Sequence, residues 1–362
     1  VTSLDDLPIR DDLRGLVPYG APQHRVRVAL NVNENTHPLP EFVVADIAAA
    51  VERALRTINR YPDREFSDLR NSLADYLGNG LTRDNIWAAN GSNEVLQQLL
   101  QTFGGPGRTV LGFPPTYSMH SIIAGGTGTM WVNGERDDEF EISPATAVRW
   151  IEQTKPDVVF FCSPNNPTGT PVSLETITAA CRVTDGIVLV DEAYAEFVPA
   201  GAPTALSLLT TFDRLVVSRT MSKAFAFAGA RVGYLASSSA VCDAVRLVRL
   251  PYHLSSLTQA AATAALAHAP TMLAMVDDIK EQRDRLLVEL KNQGFAPHRS
   301  WANFVLFGGV HDPQATFDAL FARGILIRDL HIPGHLRVSA GTREETTAFL
   351  DALADITNSD GR

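Results

Sequence analysis

Lysine is scarce in this chain of 362 residues. Only Lys155, Lys223, Lys280 and Lys291 supply an amine, and the other 27 of the 31 basic residues are arginines. A lysine in an unusual setting is therefore easy to notice. Cysteine is scarcer still. Cys162, Cys181 and Cys242 are odd in number and widely spaced, which excludes a CxxC zinc pattern and a disulfide framework. A reducing, cytoplasmic setting is expected. No run of about 18 or more apolar residues occurs, so no membrane span is expected. The segment 1–12 is acidic and lacks an apolar signal core, so secretion is not expected.

Positive charge is also lacking. The chain carries 41 acidic residues and a formal net charge of −10, which argues against a general nucleic-acid or anionic-membrane binder. Small anionic ligands stay possible, because a few local arginines can hold a phosphate whatever the total charge. There is no HExxH or other metal pattern, no P-loop and no GxGxxG. Gly104-Gly-Pro-Gly107 is turn chemistry. No internal repeat or low-complexity segment is present.

What is there has the texture of an ordinary globular protein, 45% hydrophobic and 20% charged. At about 100–200 residues per domain, its length suits two or three domains. Residues 1–30 read as an irregular N-terminal arm, interrupted by Pro8, Pro18 and Pro22 and in need of a partner surface. Helical spacing covers 41–58, 66–77 and 91–102. Short β-branched and aromatic runs follow at 109–113, 130–133, 157–162, 187–190 and 214–218, with a helical pattern at 173–184 among them. Buried strands alternating with helices predict an α/β domain with a mostly parallel sheet, placed at 31–255. The remainder, 256–362, predicts a smaller α+β domain. It has a helical stretch at 257–290 broken near Pro270, strands at 303–307, 325–327 and 336–339, and a helix at 313–322. A last helix opens on the capping-box pattern Thr342-Arg-Glu-Glu345.

In open α/β sheets, ligands bind beyond the carboxyl ends of the strands. The segments in that position are Pro114-Pro-Thr-Tyr117, Ser163-Pro-Asn-Asn-Pro-Thr-Gly169, Asp191-Glu-Ala-Tyr194 and Arg219-Thr-Met-Ser-Lys223. Together they offer an aromatic face, an amide, a carboxylate, hydroxyls and an amine. Lys223 has small and apolar neighbours. A desolvated lysine there has a lowered pKa and serves as nucleophile and base.

Thr220-x-Ser-Lys223 with Arg231 eight residues on, Asn166-Pro-Thr-Gly169, Asp191-Glu-Ala-Tyr194 and Leu336-Arg-Val-Ser-Ala-Gly-Thr342 stand in an order that resembles the fold type I pyridoxal-phosphate aminotransferases. The resemblance spans most of the chain. It implies pyridoxal 5'-phosphate as cofactor, with Lys223 forming the Schiff base and shuttling the proton. It implies Asp191 on the pyridine nitrogen, Tyr194 and Asn166 on the ring oxygen, and Tyr117 stacked on the ring. The cofactor phosphate falls to Thr220, Ser222, Arg231 and the helix start at Ser92 and Asn93. Tyr61, in Arg60-Tyr-Pro-Asp63, resembles the tyrosine that reaches that phosphate from a partner subunit, which implies a homodimer with shared active sites.

On substrate, Arg337 matches the arginine that clamps the α-carboxylate. Arg328-Asp329 and Pro18-Tyr19 resemble the branch of the family acting on histidinol phosphate with glutamate or 2-oxoglutarate, in histidine biosynthesis. There Arg328 and Tyr19, the latter from the partner's arm, would contact the substrate phosphate. In Asn33-Glu-Asn35, Asn35 would line the pocket, although Thr36-His37 stands where the usual pattern has proline. The alternatives in the same terms are an aromatic amino acid aminotransferase, a phosphothreonine decarboxylase and, in a different class, a non-catalytic cofactor-binding regulator.

Overall fold

The computed structural model describes residues 2–360. After an exposed arm with two short 3-10 turns, β1 (Val28–Ala29) begins the ordered body. Helices α1 (Glu41–Leu55) and α2 (Ser67–Leu77) follow, then β2 (Ile86–Ala89), α3 (Ser92–Phe103), β3 (Thr109–Gly112), α4 (Met119–Gly126) and β4 (Met130–Asn133). The alternation continues through α5 (Pro144–Thr154), β5 (Val158–Cys162), α6 (Leu174–Val183), β6 (Ile187–Asp191), β7 (Leu215–Thr220), β8 (Gly233–Ala236) and α7 (Ser239–Arg246).

Strands β2 to β8 form one seven-stranded sheet in the order β2-β8-β7-β6-β5-β3-β4. The five strands from β7 to β4 are mutually parallel, while β8 runs antiparallel to both β7 and β2. Strands β5, β6 and β7 are buried at every residue, as strands covered by helices on both faces must be. Strands β2 and β8 carry no strand signal in the sequence. They read Ile-Trp-Ala-Ala and Gly-Tyr-Leu-Ala, too short and too rich in small residues. Gly233 is required in β8, because a Cβ there would lie 2.1 Å from the Ser92 backbone nitrogen.

The C-terminal part holds α8 (Ser256–Ala267), α9 (Ala269–Asn292), β9 (Ala296–Pro297), β10 (Phe304–Gly308), α10 (Pro313–Ala322), β11 (Ile325–Leu326), β12 (Leu336–Ser339) and α11 (Arg343–Asp360). The helical stretch breaks at His268, with Pro270 in the first turn of α9. Thr342 and Glu345 form the expected reciprocal cap, Thr342 N donating to Glu345 Oε2 (2.8 Å) and Glu345 N to Thr342 Oγ1 (3.2 Å). Helix α8 packs on α1 and α2, whereas α9 packs on β9, β10 and α11.

Two connections bring the N-terminal segment to the site. Strand β1 pairs in parallel with β11, and Ser339 N donates to the Leu30 carbonyl (3.0 Å). The chain from Val28 to Asn33 is thereby threaded between β11 and β12 and delivered to the rim of the large sheet. Among the described residues, no helix is long and apolar enough to cross a membrane.

Candidate active site

The loops after β3, β5, β6 and β7 converge with the segment 19–33 and with residues 328–337 on a cavity of about 380 Å³. Lys223 stands on its floor, three residues beyond β7. Its Nζ donates to the Val32 carbonyl at 3.0 Å. Burial pushes the amine down to about 8. Arg337 and Arg231 push the same way, and Glu34 opposes them. Half of the amine is therefore neutral near pH 8, the form a nucleophile needs.

Asp191 ends β6 and is buried. Its Oδ1 accepts from Ser218 Oγ (3.1 Å), and its Oδ2 lies 3.1 Å from Nε2 of His120 on α4. His120 was not anticipated. Its signal is a lone histidine in the apolar run of α4, three residues after Tyr117. His120, Cys162 and Asp191 are the one group among the described residues that clusters as metal ligands could. Burial pushes the Cys162 thiol up to about 12, and His120 and Asp191 are hydrogen-bonded to each other.

Above this floor, Tyr194 OH accepts from Asn33 Nδ2 (2.9 Å) and Asn166 Nδ2 (3.5 Å). Tyr117 donates to Asn93 Oδ1 (3.3 Å), sits edge-on to His120, and has its hydroxyl pushed up to about 12 by burial. At the cavity's end lies an anion cradle. Gly91, with φ +86°, is the N-cap of α3, so Ser92 and Asn93 are spared that task and present the first free N–H groups of the helix. A Cβ on Gly91 would meet the Arg231 guanidinium at 2.4 Å. Arg231 also reaches Ser222 Oγ (3.4 Å), and Thr220 Oγ1 is 3.0 Å from that same oxygen.

Opposite stand two arginines. Arg328 and Arg337 exchange both backbone hydrogen bonds across one antiparallel bridge (3.0 and 2.9 Å), and both line the cavity. Arg337 donates to Asn166 Oδ1 (2.5 Å) and the Asn31 carbonyl (2.8 Å), lies 5.1 Å over the Phe304 ring, and leaves its Nε without a partner. Burial pushes it down to about 10, and Arg328 adds to the effect. Asp329 does not neutralise Arg328. Its carboxylate accepts from the His331 backbone (2.6 Å). Among the described residues neither arginine has an ion pair.

Tyr19 lines the cavity in the single chain, where the arm runs along the rim. One expectation, that Asn35 lines the pocket, differs from the structure. Asn35 does not line the cavity. Asn33 has left-handed backbone (φ +57°), which breaks the two-residue alternation of extended chain. Asn33 therefore faces Tyr194, while Asn35 turns away to donate to the Ala224 carbonyl (3.2 Å) and accept from His37 N (3.0 Å). Tyr61 is 79% exposed and outside its own chain's cavity.

The family model for "Aminotransferase class I and II" matches residues 26–353. The chain belongs to the class I and II aminotransferases. It is 58% identical over 353 residues to the histidinol-phosphate aminotransferase of Paenarthrobacter aurescens (strain TC1), covering 97% of this chain and 95% of that one. It is 54% identical over 356 residues to the enzyme of the same name from Thermobifida fusca (strain YX), with 98% and 97% covered. The crystal structure of histidinol-phosphate aminotransferase from Sinorhizobium meliloti in complex with pyridoxal-5'-phosphate superposes with a TM-score of 0.86 at 25% identity, covering 97% of this aminotransferase and 98% of that chain. The fold is accordingly the fold type I aminotransferase fold expected from the motifs, with a mixed central sheet flanked by helices.

Proposed function

We propose that this aminotransferase uses pyridoxal 5'-phosphate to move an amino group between L-histidinol phosphate and 2-oxoglutarate, giving imidazole-acetol phosphate and L-glutamate. The observation that carries the reading is the pair Arg328 and Arg337, side by side in the cavity that holds Lys223, with no carboxylate among the described residues paired to either. Two uncompensated cations at one place call for a ligand with more than one negative charge. Histidinol phosphate carries a phosphate where an amino acid carries its carboxylate. Glutamate, the second substrate, needs only the Arg337 fork for its α-carboxylate. Leu330 and Ile332 offer an apolar wall to a flat ring, and Tyr19 a hydroxyl beside it.

The donor set fits the cofactor. The cradle of Ser92, Asn93, Ser222 and Arg231 suits its phosphate, Asn166 and Tyr194 its ring oxygen, and Tyr117 its ring face. When bound, pyridoxal phosphate supplies an aldehyde for amines and a ring that takes up the electron pair released at the substrate α-carbon. Asp191 keeps a proton on the ring nitrogen. Lys223 Nζ takes the proton from the α-carbon and returns it at C4'. Arg328 and Arg337 hold the far end of the substrate, so that the Cα–H bond stays within reach of Lys223.

The same reading makes the protein a cytoplasmic homodimer. Val17 (89% exposed), Leu247, Leu250 and Tyr61 are apolar or aromatic side chains left uncovered in one protomer. A partner's cradle gives the Tyr61 hydroxyl a phosphate to reach.

The test is kcat/KM for histidinol phosphate, phenylalanine and phosphothreonine side by side, with product identification. Imidazole-acetol phosphate from the best substrate is expected. Equal or better turnover of phenylalanine, or loss of carbon dioxide from phosphothreonine, contradicts the reading.

A further inference from the structure

An aromatic side chain as exposed as Tyr61 ordinarily samples several rotamers. Here its ring stacks on Tyr252, with 4.4 Å between centroids and 15° between planes. Tyr252 has φ +59°, a left-handed conformation that a bulky residue adopts only when its surroundings hold it there.

The holding contacts lie on both sides of it. Arg249 donates to the Arg64 carbonyl (2.6 Å) and to Glu65 Oε1 (2.7 Å), and its guanidinium lies 5.4 Å over the Trp87 ring. The His253 ring stacks on that same Trp87 and its Nε2 is 2.9 Å from the Ala88 carbonyl. The His253 carbonyl accepts from Asn90 Nδ2 (2.9 Å), in the turn that leads into Ser92. Segment 249–253 is thus bound to the loop that carries Tyr61 and to the loop that opens the chain's own phosphate cradle.

We propose that Tyr252 is a positioning residue. Its ring fixes Tyr61 in the direction of the partner's cofactor phosphate, and Arg249 and His253 tie that direction to the protomer's own cradle. One short segment then sets both what a protomer holds and what it lends. The proposal rests on the reading that Tyr61 reaches the partner's phosphate. Without a platform, the tyrosine would lose rotamer freedom on each contact, and the stack removes that cost beforehand.

The experiment measures cofactor affinity, not activity. Apoprotein is titrated with pyridoxal phosphate while the absorbance of lysine-bound cofactor is followed, and sedimentation velocity reports the oligomeric state. Tyr252→Ala and Tyr252→Gly are expected to weaken affinity about threefold to tenfold, the scale of one aromatic pair, and about as much as Tyr61→Ala does. Tyr252→Phe, which keeps the ring, is expected to retain affinity. The double variant Tyr61→Ala/Tyr252→Ala is expected to be no weaker than Tyr61→Ala alone. Glycine suits the left-handed backbone, so Tyr252→Gly should melt no lower than the unmodified protein, which separates positioning from stability. The proposal is overturned if the Tyr252 variants bind normally while Tyr61→Ala binds weakly, if the two losses add, or if Tyr252→Gly dissociates the dimer. If Tyr61→Ala binds normally as an intact dimer, the reading beneath the proposal fails instead.

Discussion

His120 Nε2 lies 3.1 Å from Asp191 Oδ2, with both side chains buried beneath the cavity. The other ring nitrogen, Nδ1, faces Thr116 Oγ1 at 3.5 Å, so the imidazole sits between a carboxylate and a hydroxyl. His120→Phe removes one of the two hydrogen-bond partners that aim Asp191, the other being Ser218. The loss of one hydrogen bond to a charged group predicts a fall in kcat of about 10–100-fold with little change in KM. Steady-state kinetics check it, and an unchanged kcat removes His120 from the site.

Lys223 titrates near 8 because it is buried beside Arg337 and Arg231. The unfolded chain holds the lysine proton up to its ordinary pKa, so between about pH 8 and pH 10 the unfolded state binds more protons than the folded one. The contribution of Lys223 to stability therefore rises with pH across that window, and below it the full penalty applies. Two outcomes follow. Incorporation of pyridoxal phosphate into apoprotein should accelerate with pH around a midpoint near 8. Lys223→Met should raise the Tm of apoprotein at pH 7 while abolishing turnover. A midpoint near 10 contradicts the first, and an unchanged or lowered Tm the second.

Arg219 and Glu192 form a buried pair behind the cavity, with Arg219 Nη2 2.7 Å and Nε 3.0 Å from Glu192 Oε2, and Thr204 Oγ1 2.9 Å from Arg219 Nη2. Glu196 lies 3.7 Å from the same guanidinium, and burial raises its pKa. Arg219→Ala leaves two buried carboxylates around an empty place and is expected to cost about 3–5 kcal/mol. Denaturant unfolding of the apoprotein measures it. Replacing the pair together, with Arg219→Met and Glu192→Leu, should recover only part of the loss, because Glu196 stays buried without its cation and Ala205 N loses its acceptor, and no recovery at all contradicts the pairwise account.

The asparagines of the 31–35 segment divide their work. Asn33→Ala removes the donor to Tyr194 and a bond with Ser339 Oγ, so both kcat and stability should fall. Asn35→Ala should act chiefly through the Lys223–Ala224 turn, with kcat falling more than the affinity for substrate falls. Kinetics of the two variants decide between them. A larger change in KM for Asn35→Ala than for Asn33→Ala would return Asn35 to the cavity wall.

Most of the site was legible because its chemistry sits in strand-end motifs. Lys223, Asp191, Tyr194 and Asn166 needed only the order of the parallel strands to be brought together, whereas Arg337 comes from β12 of the separate antiparallel sheet. What escaped was set by backbone or by packing at long range. The left-handed turn at Asn33 exchanged the roles of Asn33 and Asn35, and no residue pattern announces it. His120 reads as an interior residue of a short helix until the sheet places Asp191 above it. Strands β2 and β8 lack β-branched residues except Ile86, because their place is fixed by close approach of α3 to Gly233 and not by propensity. The Arg328–Arg337 pairing spans the intervening residues 329–336 and appears only once β12 is aligned.

That pairing carries the account, and a single comparison tests it most directly. In Arg328→Leu, kcat/KM is measured for histidinol phosphate and for phenylalanine against the unmodified enzyme. Loss of a charge-assisted contact to the phosphate predicts a fall of about 10–100-fold for histidinol phosphate, with phenylalanine changed by less than about threefold. Equal losses for the two substrates, or no loss for the phosphorylated one, would contradict the claim that the two arginines together select a phosphate.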